Sequence, residues 1–262
     1  MTSGFLEPFP LWAILCGSAA AFLAMAEVGY RIGFWRRSGA RESTLADLGV
    51  AMGGLLGLLG LLLAFTFGMA GARHDDRKML VIEEANAIGT AWLRTDLIPE
   101  PMRTQAREAL EAYTRLRVEI ASRGDRTEAE RVVARAEQLQ GPLWNAAVAA
   151  AAAAPSPATA LFVSAVNEVI DMHGRRVARG LRNPIPPIIL ATLYAVSLLV
   201  VLALGFSRGL AGDRNAVATT LLAIILAVVL NLILDLDRPA GGSLRVSQQS
   251  MEDVLRAMTP PR

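Results

Sequence analysis

Two short segments carry the residue types that most often bind metal ions. His74, Asp75 and Asp76 are consecutive, and Asp171 and His173 are separated by one residue. Imidazole and carboxylate groups bind Zn²⁺ and related ions when several of them converge. Neither segment has the ligand spacing of a known metal motif, and the chain contains only these two histidines and one cysteine. We therefore expect no metal site and no cofactor. A metal-dependent membrane enzyme is accordingly only a weak functional hypothesis.

Four further polar residues lie in or beside long apolar stretches, where an ionisable or amide side chain is a functional candidate. They are Glu27, Asn231, Asp235 and Asp237. Arg31 follows Glu27 by four residues, which predicts an ion pair on one helix face. Asn231 must find a hydrogen-bond partner within its apolar surroundings. The two aspartates could bind a cation or pair with Arg238, although two carboxylates are too few for a calcium site.

Motifs of the common enzyme classes are absent from the sequence. We find no Ser-His-Asp arrangement, nucleophile elbow, phosphate-binding loop or dinucleotide fingerprint. The 26 Lys and Arg residues nearly balance 24 Asp and Glu residues, which leaves a net charge of +2. A nucleic-acid-binding domain normally carries a stronger positive charge. We therefore expect neither an enzyme nor a nucleic-acid-binding protein.

Long apolar stretches must position these polar groups. The stretch Leu48–Met69 contains 22 residues without a charge, enough to cross a hydrocarbon core of about 30 Å as a helix. Similar stretches are Leu11–Tyr30, Pro187–Phe206 and Ala216–Leu234, and the last two are joined by the polar loop Ser207–Asn215. Backbone groups cannot remain unpaired in lipid, so each stretch must be helical. The sequence predicts an all-α integral membrane protein with four transmembrane helices surrounded by membrane lipid.

The first apolar stretch also has one property of a secretory signal. Leu11–Ala26 ends in Ala24-Met25-Ala26, which resembles a signal-peptidase site. No basic residue precedes it, however, whereas a signal peptide normally has a basic N-terminal region. We therefore expect a retained transmembrane helix.

The long segment between the second and third stretches, residues 71–183, has a different composition. It is charged, rich in Ala, Glu and Arg, and predicts four helices, which are Arg73–Leu97, Met102–Ile120, one opening at Thr127, and Ala158–Gly180. We expect a soluble helical bundle here, with hydrogen bonds buried in its interior. Their expected donors and acceptors are Glu83, Glu84, Asn86 and Asn167. The predicted domains are residues 1–70, 71–183, 184–238 and a tail, 239–262, with an amphipathic helix at Leu244–Met258.

The second apolar stretch contains a stripe of very small side chains at spacings of three or four residues. The stripe comprises Gly49, Gly53, Gly57, Gly60, Ala64 and Gly68. Small residues let helix backbones approach closely in lipid, so the stripe predicts a helix–helix contact, either within the chain or with copies of itself. Beside it, Leu61, Phe65 and Met69 recur four apart. Around a central axis they would form apolar rings that gate by dewetting; core or lipid contact is the alternative.

Several segments together resemble an uncharacterised bacterial family whose members are called bestrophin-like domain proteins. They are Leu62–Met69, the RHDDRK that follows, Glu83–Pro99, the helix from Asn167 to Asp171, and Leu234–Gly242. The resemblance implies an analogy with bestrophins, which are pentameric anion channels with four membrane helices and a cytosolic helical domain. Their second membrane helix lines the pore with three apolar residues four apart, which matches Leu61, Phe65 and Met69. The acidic calcium clasp of bestrophins is absent here, and the proposed ring has one phenylalanine rather than two.

Membrane orientation does not follow from charge, because basic residues flank both ends of the apolar stretches. The resemblance implies a cytoplasmic bundle in a multi-pass protein of the bacterial inner membrane. The leading functional hypothesis is a homo-oligomeric, pentameric ion channel with the second span lining the pore. The alternative is a non-conducting membrane scaffold or sensor whose helical bundle binds a protein partner.

Overall fold

A computed structural model of the 262-residue chain describes residues 9–37, 42–120, 126–181, 184–238 and 242–259. Regular secondary structure in these residues is helical throughout. The α-helices are α1 (Leu11–Arg36), α2 (Glu42–Arg94), α3 (Met102–Ile120), α4 (Arg126–Ala153), α5 (Pro157–Arg175), α6 (Pro187–Ala211), α7 (Val217–Asp237) and α8 (Gln249–Met258). A 3₁₀ turn, Thr95–Leu97, follows α2, and a π-helical turn, Arg176–Leu181, follows α5. The domain boundaries expected at residues 183 and 239 lie outside the described residues.

Four helices are long and apolar enough to cross a membrane, namely α1, α2, α6 and α7. This confirms the prediction of an all-helical protein with four long apolar helices. The helix α6 begins at Pro187, whose fixed φ suits the first helical position. It ends where Gly212 adopts a left-handed φ of 71°. The polar loop expected at Ser207–Asn215 is therefore shorter than predicted, because its first residues continue α6.

The helix α2 is one uninterrupted helix of 53 residues, about 80 Å long. The sequence predicted two helices here, an apolar one ending near Met69 and a charged one beginning near Arg73. Composition changes at that point, but the intervening Ala70-Gly71-Ala72 contains no proline and no capping residue. The backbone hydrogen bonds therefore continue, and the helix ends only ahead of Pro99.

The chain divides into two compact units, and α2 contributes to both. The first unit comprises Met1–Ala72 and Ile185–Arg238. Its apolar core joins α1, α2, α6 and α7, and the fully buried members include Phe22, Leu59, Val201, Ala223 and Ile233. The second unit comprises Arg73–Pro184 and Pro239–Arg262.

Within the first unit, α1 and α6 pack backbone to backbone through two pairs of glycines. A Cβ atom built on Gly29 would lie 2.0 Å from the carbonyl oxygen of Leu202, and one on Gly33 would lie 2.1 Å from that of Phe206. Gly205 and Gly209 on α6 are equally close to the α1 backbone. The residue numbers rise together along both helices, so α1 and α6 run parallel. This is the small-xxx-small packing typical of membrane helices, and it lies at glycines that the sequence analysis did not single out.

We expect the substitution Gly33→Val to destabilise the first unit, because its side chain requires the space occupied by the Phe206 backbone. Overpacking of this kind costs roughly 1–3 kcal/mol, which a thermal melt of the detergent-purified protein would measure. The matched control is Gly17→Val on the same helix, where a Cβ meets nothing within 4 Å. Equal melting temperatures for the two variants would contradict the packing described here.

The second unit has its own core, formed by the later part of α2 with α3, α4, α5 and α8. Its fully buried side chains include Ile88, Tyr113, Phe162 and Val169. Met251 and Met258 of α8 are buried against this core, as an amphipathic C-terminal helix requires. The helix begins at Gln249, five residues later than the sequence predicted.

Candidate functional site

The membrane-compatible part of α2 is the least covered of the four apolar helices. Only 11% of the residues in its most apolar 18-residue segment are buried, compared with 39% in the corresponding segment of α7. One narrow face packs inward, through Met52, Leu59, Thr66 and Ala70. Thr66 is polar but donates a 2.8 Å hydrogen bond to the carbonyl oxygen of Leu62 in its own helix. The described residues leave the remaining faces of this segment largely uncovered.

The small-residue stripe lies on one of these uncovered faces. All six of its members are exposed. A Cβ built on any of its five glycines would meet nothing within 4 Å. The stripe therefore makes no close helix–helix contact with the part of the chain that the structure describes. Among the described residues, a close backbone contact of this kind occurs between α1 and α6.

The candidate pore residues lie on the neighbouring uncovered face of α2. Leu61 is 52% exposed and Phe65 is 68% exposed. Met69, one turn further along, is half-buried. Residues four apart lie on one side of a helix, so the three side chains form one apolar ridge. Leu58 and Val50, also exposed, lie close to the same line.

Of the polar candidates, Glu27 has an ion-pair partner, whereas Asn231 has a buried oxygen without a hydrogen-bond partner among the described residues. Glu27 and Arg31 form an ion pair, with 2.7 Å between Oε1 and Nε, and both side chains are more than half exposed. This is the pairing that the spacing predicted. Asn231 lies on α7, and its Oδ1 atom is buried with no hydrogen-bond partner among the described residues.

The aspartates at the end of α7 are both buried. Both carboxylate oxygens of Asp237 accept the backbone N–H of Ile185, each at 3.0 Å. Asp237 thus fixes the extended segment that leads into α6, because a buried carboxylate requires donors of this kind. Arg238 donates a 2.9 Å hydrogen bond to the carbonyl oxygen of Phe9.

The histidine segments do not form a metal site in the described residues. No three side chains of His, Cys, Asp or Glu come together there as a metal ion would require. Asp171 instead accepts a 3.1 Å hydrogen bond from Asn167. His173 is buried and contacts Tyr113.

A buried charge network occupies the core of the second unit. Glu84 of α2 is completely buried, and its Oε1 accepts a 2.5 Å hydrogen bond from the Tyr113 hydroxyl. Its Oε2 accepts hydrogen bonds from Arg117, at 3.0 Å, and from Arg176. Arg176 also donates to Oε1 of Gln248, at 2.9 Å. The Glu84 carboxylate therefore links α2, α3 and the π-helical turn, and Arg176 links that turn to the segment before α8.

Burial and charge set the protonation states in this network. Burial alone would raise the pKa of Glu84, but the guanidinium groups of Arg117 and Arg176 and the Tyr113 hydrogen bond outweigh it and lower the pKa from 4.5 to about 2. Burial lowers the pKa of His173, and the charge of Arg117 lowers it further. The Tyr113 proton is given to Glu84, so the His173 Nδ1, 3.2 Å from the hydroxyl oxygen, must be the donor in that contact. The lowered pKa favours the neutral imidazole, and its Nε2 is buried without a hydrogen-bond partner among the described residues.

One protein-family model, the bestrophin-like domain, matches residues 9–251. The chain belongs to the bestrophin-like family. No curated protein matches its sequence. This match confirms the resemblance to bestrophin-like domain proteins that was inferred from the sequence.

Solved structures share the fold of this bestrophin-like protein. A bacterial bestrophin homologue from Klebsiella pneumoniae has a TM-score of 0.64 and 15% identity, over 94% of this chain and 96% of that chain. A single-residue variant of a Klebsiella pneumoniae bestrophin homologue has a TM-score of 0.66 and 14% identity, over 99% of both chains. A variant described as a membrane protein has a TM-score of 0.65 and 16% identity, over 95% and 97%. At these identities the comparison establishes the fold alone.

The sequence of this bestrophin-like protein predicted only part of the buried network. Of the four polar residues expected inside the bundle, Glu84 is buried, whereas Glu83, Asn86 and Asn167 are exposed. The correction follows from helix geometry, because Glu84 shares the inward face with Leu80 and Ile88. Arg117 lies four residues after Tyr113, a spacing that places both on one face of α3. Nothing in the sequence indicated that Arg176 joins them.

Proposed function

We propose that this bestrophin-like protein is a homo-oligomeric, pentameric ion channel in which α2 lines the pore. The observation that carries the proposal is the uncovered side of α2, where a small-residue stripe and an apolar ridge lie next to each other without a partner in the described chain. The bestrophin-like fold supports it, because the resemblance to bestrophins implies five subunits around an axis.

The two uncovered faces have complementary roles in such a ring. In lipid, small residues promote association because they let backbones approach and increase van der Waals contact. The stripe from Gly49 to Gly68 would contact the neighbouring subunit. The ridge of Leu61, Phe65 and Met69 would then face the axis, and stacked apolar rings control conduction by expelling water. The same analogy supports a multi-pass protein of the bacterial inner membrane, surrounded by lipid, with the second unit as a soluble cytoplasmic bundle.

The oligomeric mass tests this proposal directly. Light scattering of the protein in mild detergent is expected to give five times the chain mass of 28.0 kDa. The stripe variant Gly57→Val is expected to shift the protein towards smaller species, because a branched side chain separates the neighbouring helices. Its fold should survive, since nothing in the described chain lies within 4 Å of the new Cβ.

The matched control for the mass measurement is Gly17→Val, which introduces the same side chain at an equally open position of α1. This variant is expected to keep the parent mass. A monomeric parent protein, or a Gly57→Val variant with the full oligomeric mass, would contradict the role proposed for the stripe.

A groove in the second unit favours a non-conducting scaffold or sensor as the second candidate. The groove has a volume of about 460 Å³, lies between α2 and α5, and is lined largely by polar side chains, including Glu83, Asn86, Thr90, Arg94, Glu168 and Arg175. Leu93 and Leu161, both about half exposed or more, lie on the same helices. A scaffold is expected to lose a co-purifying partner when Glu168 is replaced by Arg, whereas a channel would keep its conductance.

A further inference from the structure

We propose that the first unit binds the phosphate group of an anionic phospholipid. The site lies at the end of this unit where α1 and α6 finish and α7 begins. The binding residues are Tyr30, Phe34 and Arg37 on α1 and directly after it, and Arg208 on α6. We call this set the Arg37–Arg208 cluster. The inference does not depend on whether the protein conducts ions.

The four side chains form a continuous stack of cations and aromatic rings. The guanidinium carbon of Arg208 lies 5.8 Å from the centre of the Tyr30 ring. Tyr30 stacks on Phe34, with 5.9 Å between ring centres and an interplanar angle of 25°. The guanidinium carbon of Arg37 lies 4.9 Å from the centre of the Phe34 ring. The rings hold both guanidinium planes in defined positions, which preorganises their N–H groups.

Two donors of this cluster lack an acceptor. The Tyr30 hydroxyl and the Arg208 Nε are buried and have no hydrogen-bond partner among the described residues. Another nitrogen of Arg208, Nη1, donates to the Thr219 hydroxyl at 3.2 Å, which anchors the side chain against α7. Buried donors without acceptors are unfavourable. A phosphate oxygen is the type of acceptor that both an arginine and a tyrosine hydroxyl bind well.

The surrounding charge is positive. The described basic residues at this end are Arg31, Arg36, Arg37, Arg208 and Arg214, and the acidic ones are Glu27, Asp47 near the start of α2, and Asp213. Glu27 is engaged by Arg31, and Asp213 accepts the backbone N–H of Asn215 at 2.8 Å. Cations near the C-terminal ends of α1 and α6 also suit the helix dipoles. That explanation accounts for the charge but leaves the unpartnered donors and the aromatic stack without a role.

The exposed aromatic residues indicate a lipid rather than a soluble anion. Trp35 is 91% exposed and Phe34 is 42% exposed, and both directly follow the apolar part of a membrane-compatible helix. Aromatic rings at such positions lie at the level of the lipid headgroups. Basic residues at that level attract anionic lipids. The cluster therefore lies where phospholipid phosphates are concentrated.

Native mass spectrometry of the detergent-purified full chain, titrated with phosphatidylglycerol or phosphatidylcholine, tests the proposal. The parent is expected to bind phosphatidylglycerol more tightly. The double variant Arg37→Gln/Arg208→Gln is expected to weaken that binding by roughly tenfold or more, the loss expected for charge-assisted hydrogen bonds. Tyr30→Phe, which keeps the ring stack, should weaken it less. The charge-matched control is Arg135→Gln/Arg245→Gln, at exposed positions of the second unit, which should bind like the parent.

Three results would overturn the proposal. They are equal binding of the two lipids by the parent, unchanged phosphatidylglycerol binding in the double variant, and displacement of the lipid by millimolar inorganic phosphate, which would identify a soluble anion as the ligand. If the double variant fails to fold, Arg37→Gln decides the outcome, because Arg37 is exposed. Its phosphatidylglycerol affinity should fall while its melting temperature stays that of the parent.

Discussion

The substitution Phe65→Trp is expected to reduce conductance in planar lipid bilayers by roughly tenfold or more, because a larger apolar ring narrows and dries a hydrophobic constriction. Phe65 is 68% exposed and lies on the ridge of α2 that the proposed channel turns towards its axis. Five copies of the added ring would converge on one level of the pore. Single-channel recordings of the purified protein would measure the effect.

The substitution Phe65→Ala tests the same role of Phe65 in the opposite direction. Phe65→Ala removes the ring, so conductance should rise or become harder to close. The matched control is Phe67→Ala, since Phe67 is also exposed on α2 but points about 200° away. Conductance that is unchanged by both Phe65 variants, or changed equally by Phe67→Ala, would remove Phe65 from the pore. Absence of any current from an oligomer of the expected mass would favour the scaffold hypothesis instead.

The second large effect is expected in the buried network of the second unit. Glu84→Gln keeps the shape of the side chain but removes its charge, which leaves Arg117 and Arg176 without the carboxylate that both contact. Removing one partner of a buried ion pair typically costs about 3–5 kcal/mol. Hydrogen exchange across α2, α3 and α5 is expected to show a second unit that opens far more readily than in the parent.

The neighbouring residue provides the control for the Glu84 variant. Glu83 is exposed on the same helix, and a surface change of this kind usually alters stability by at most about 0.5 kcal/mol. Glu83→Gln should therefore exchange like the parent. Similar exchange rates in both variants would show that the network contributes little to stability.

Acid should weaken the parent protein in a defined range of pH. The pKa of Glu84 is lowered from 4.5 to about 2 in the folded protein, so the ionised carboxylate binds its partners above the unfolded value. Its contribution to stability is complete above about pH 4.5 and is lost as the pH falls towards 2. Glu84→Gln has no such group, so its stability should depend less on pH in that range.

The apolar helices were predictable because their physical requirement is local. A stretch such as Leu48–Met69 needs only length and the absence of charge to identify it, and backbone hydrogen bonding then dictates a helix. The end of the predicted helix Arg73–Leu97 ahead of Pro99 was equally local, since proline removes a donor and restricts its predecessor. The continuity of α2 past Met69 was missed because the change to charged residues was taken to mark a helix end. A helix ends only where its backbone hydrogen bonds stop, and they continue here.

The contacts that the site residues make with other helices could not be predicted from the sequence. The sequence by itself determined that Leu61 and Phe65 share one face of a helix and that glycines flank them. Only the tertiary structure decided which glycines pack within the chain, and it placed that contact at Gly29 and Gly33. It also selected Glu84 from four similar polar residues, because burial depends on the helices that surround a position. Periodicity fixes the relation between residues on one helix, whereas a contact between helices arises from residues far apart in sequence, such as Glu84 and Arg176.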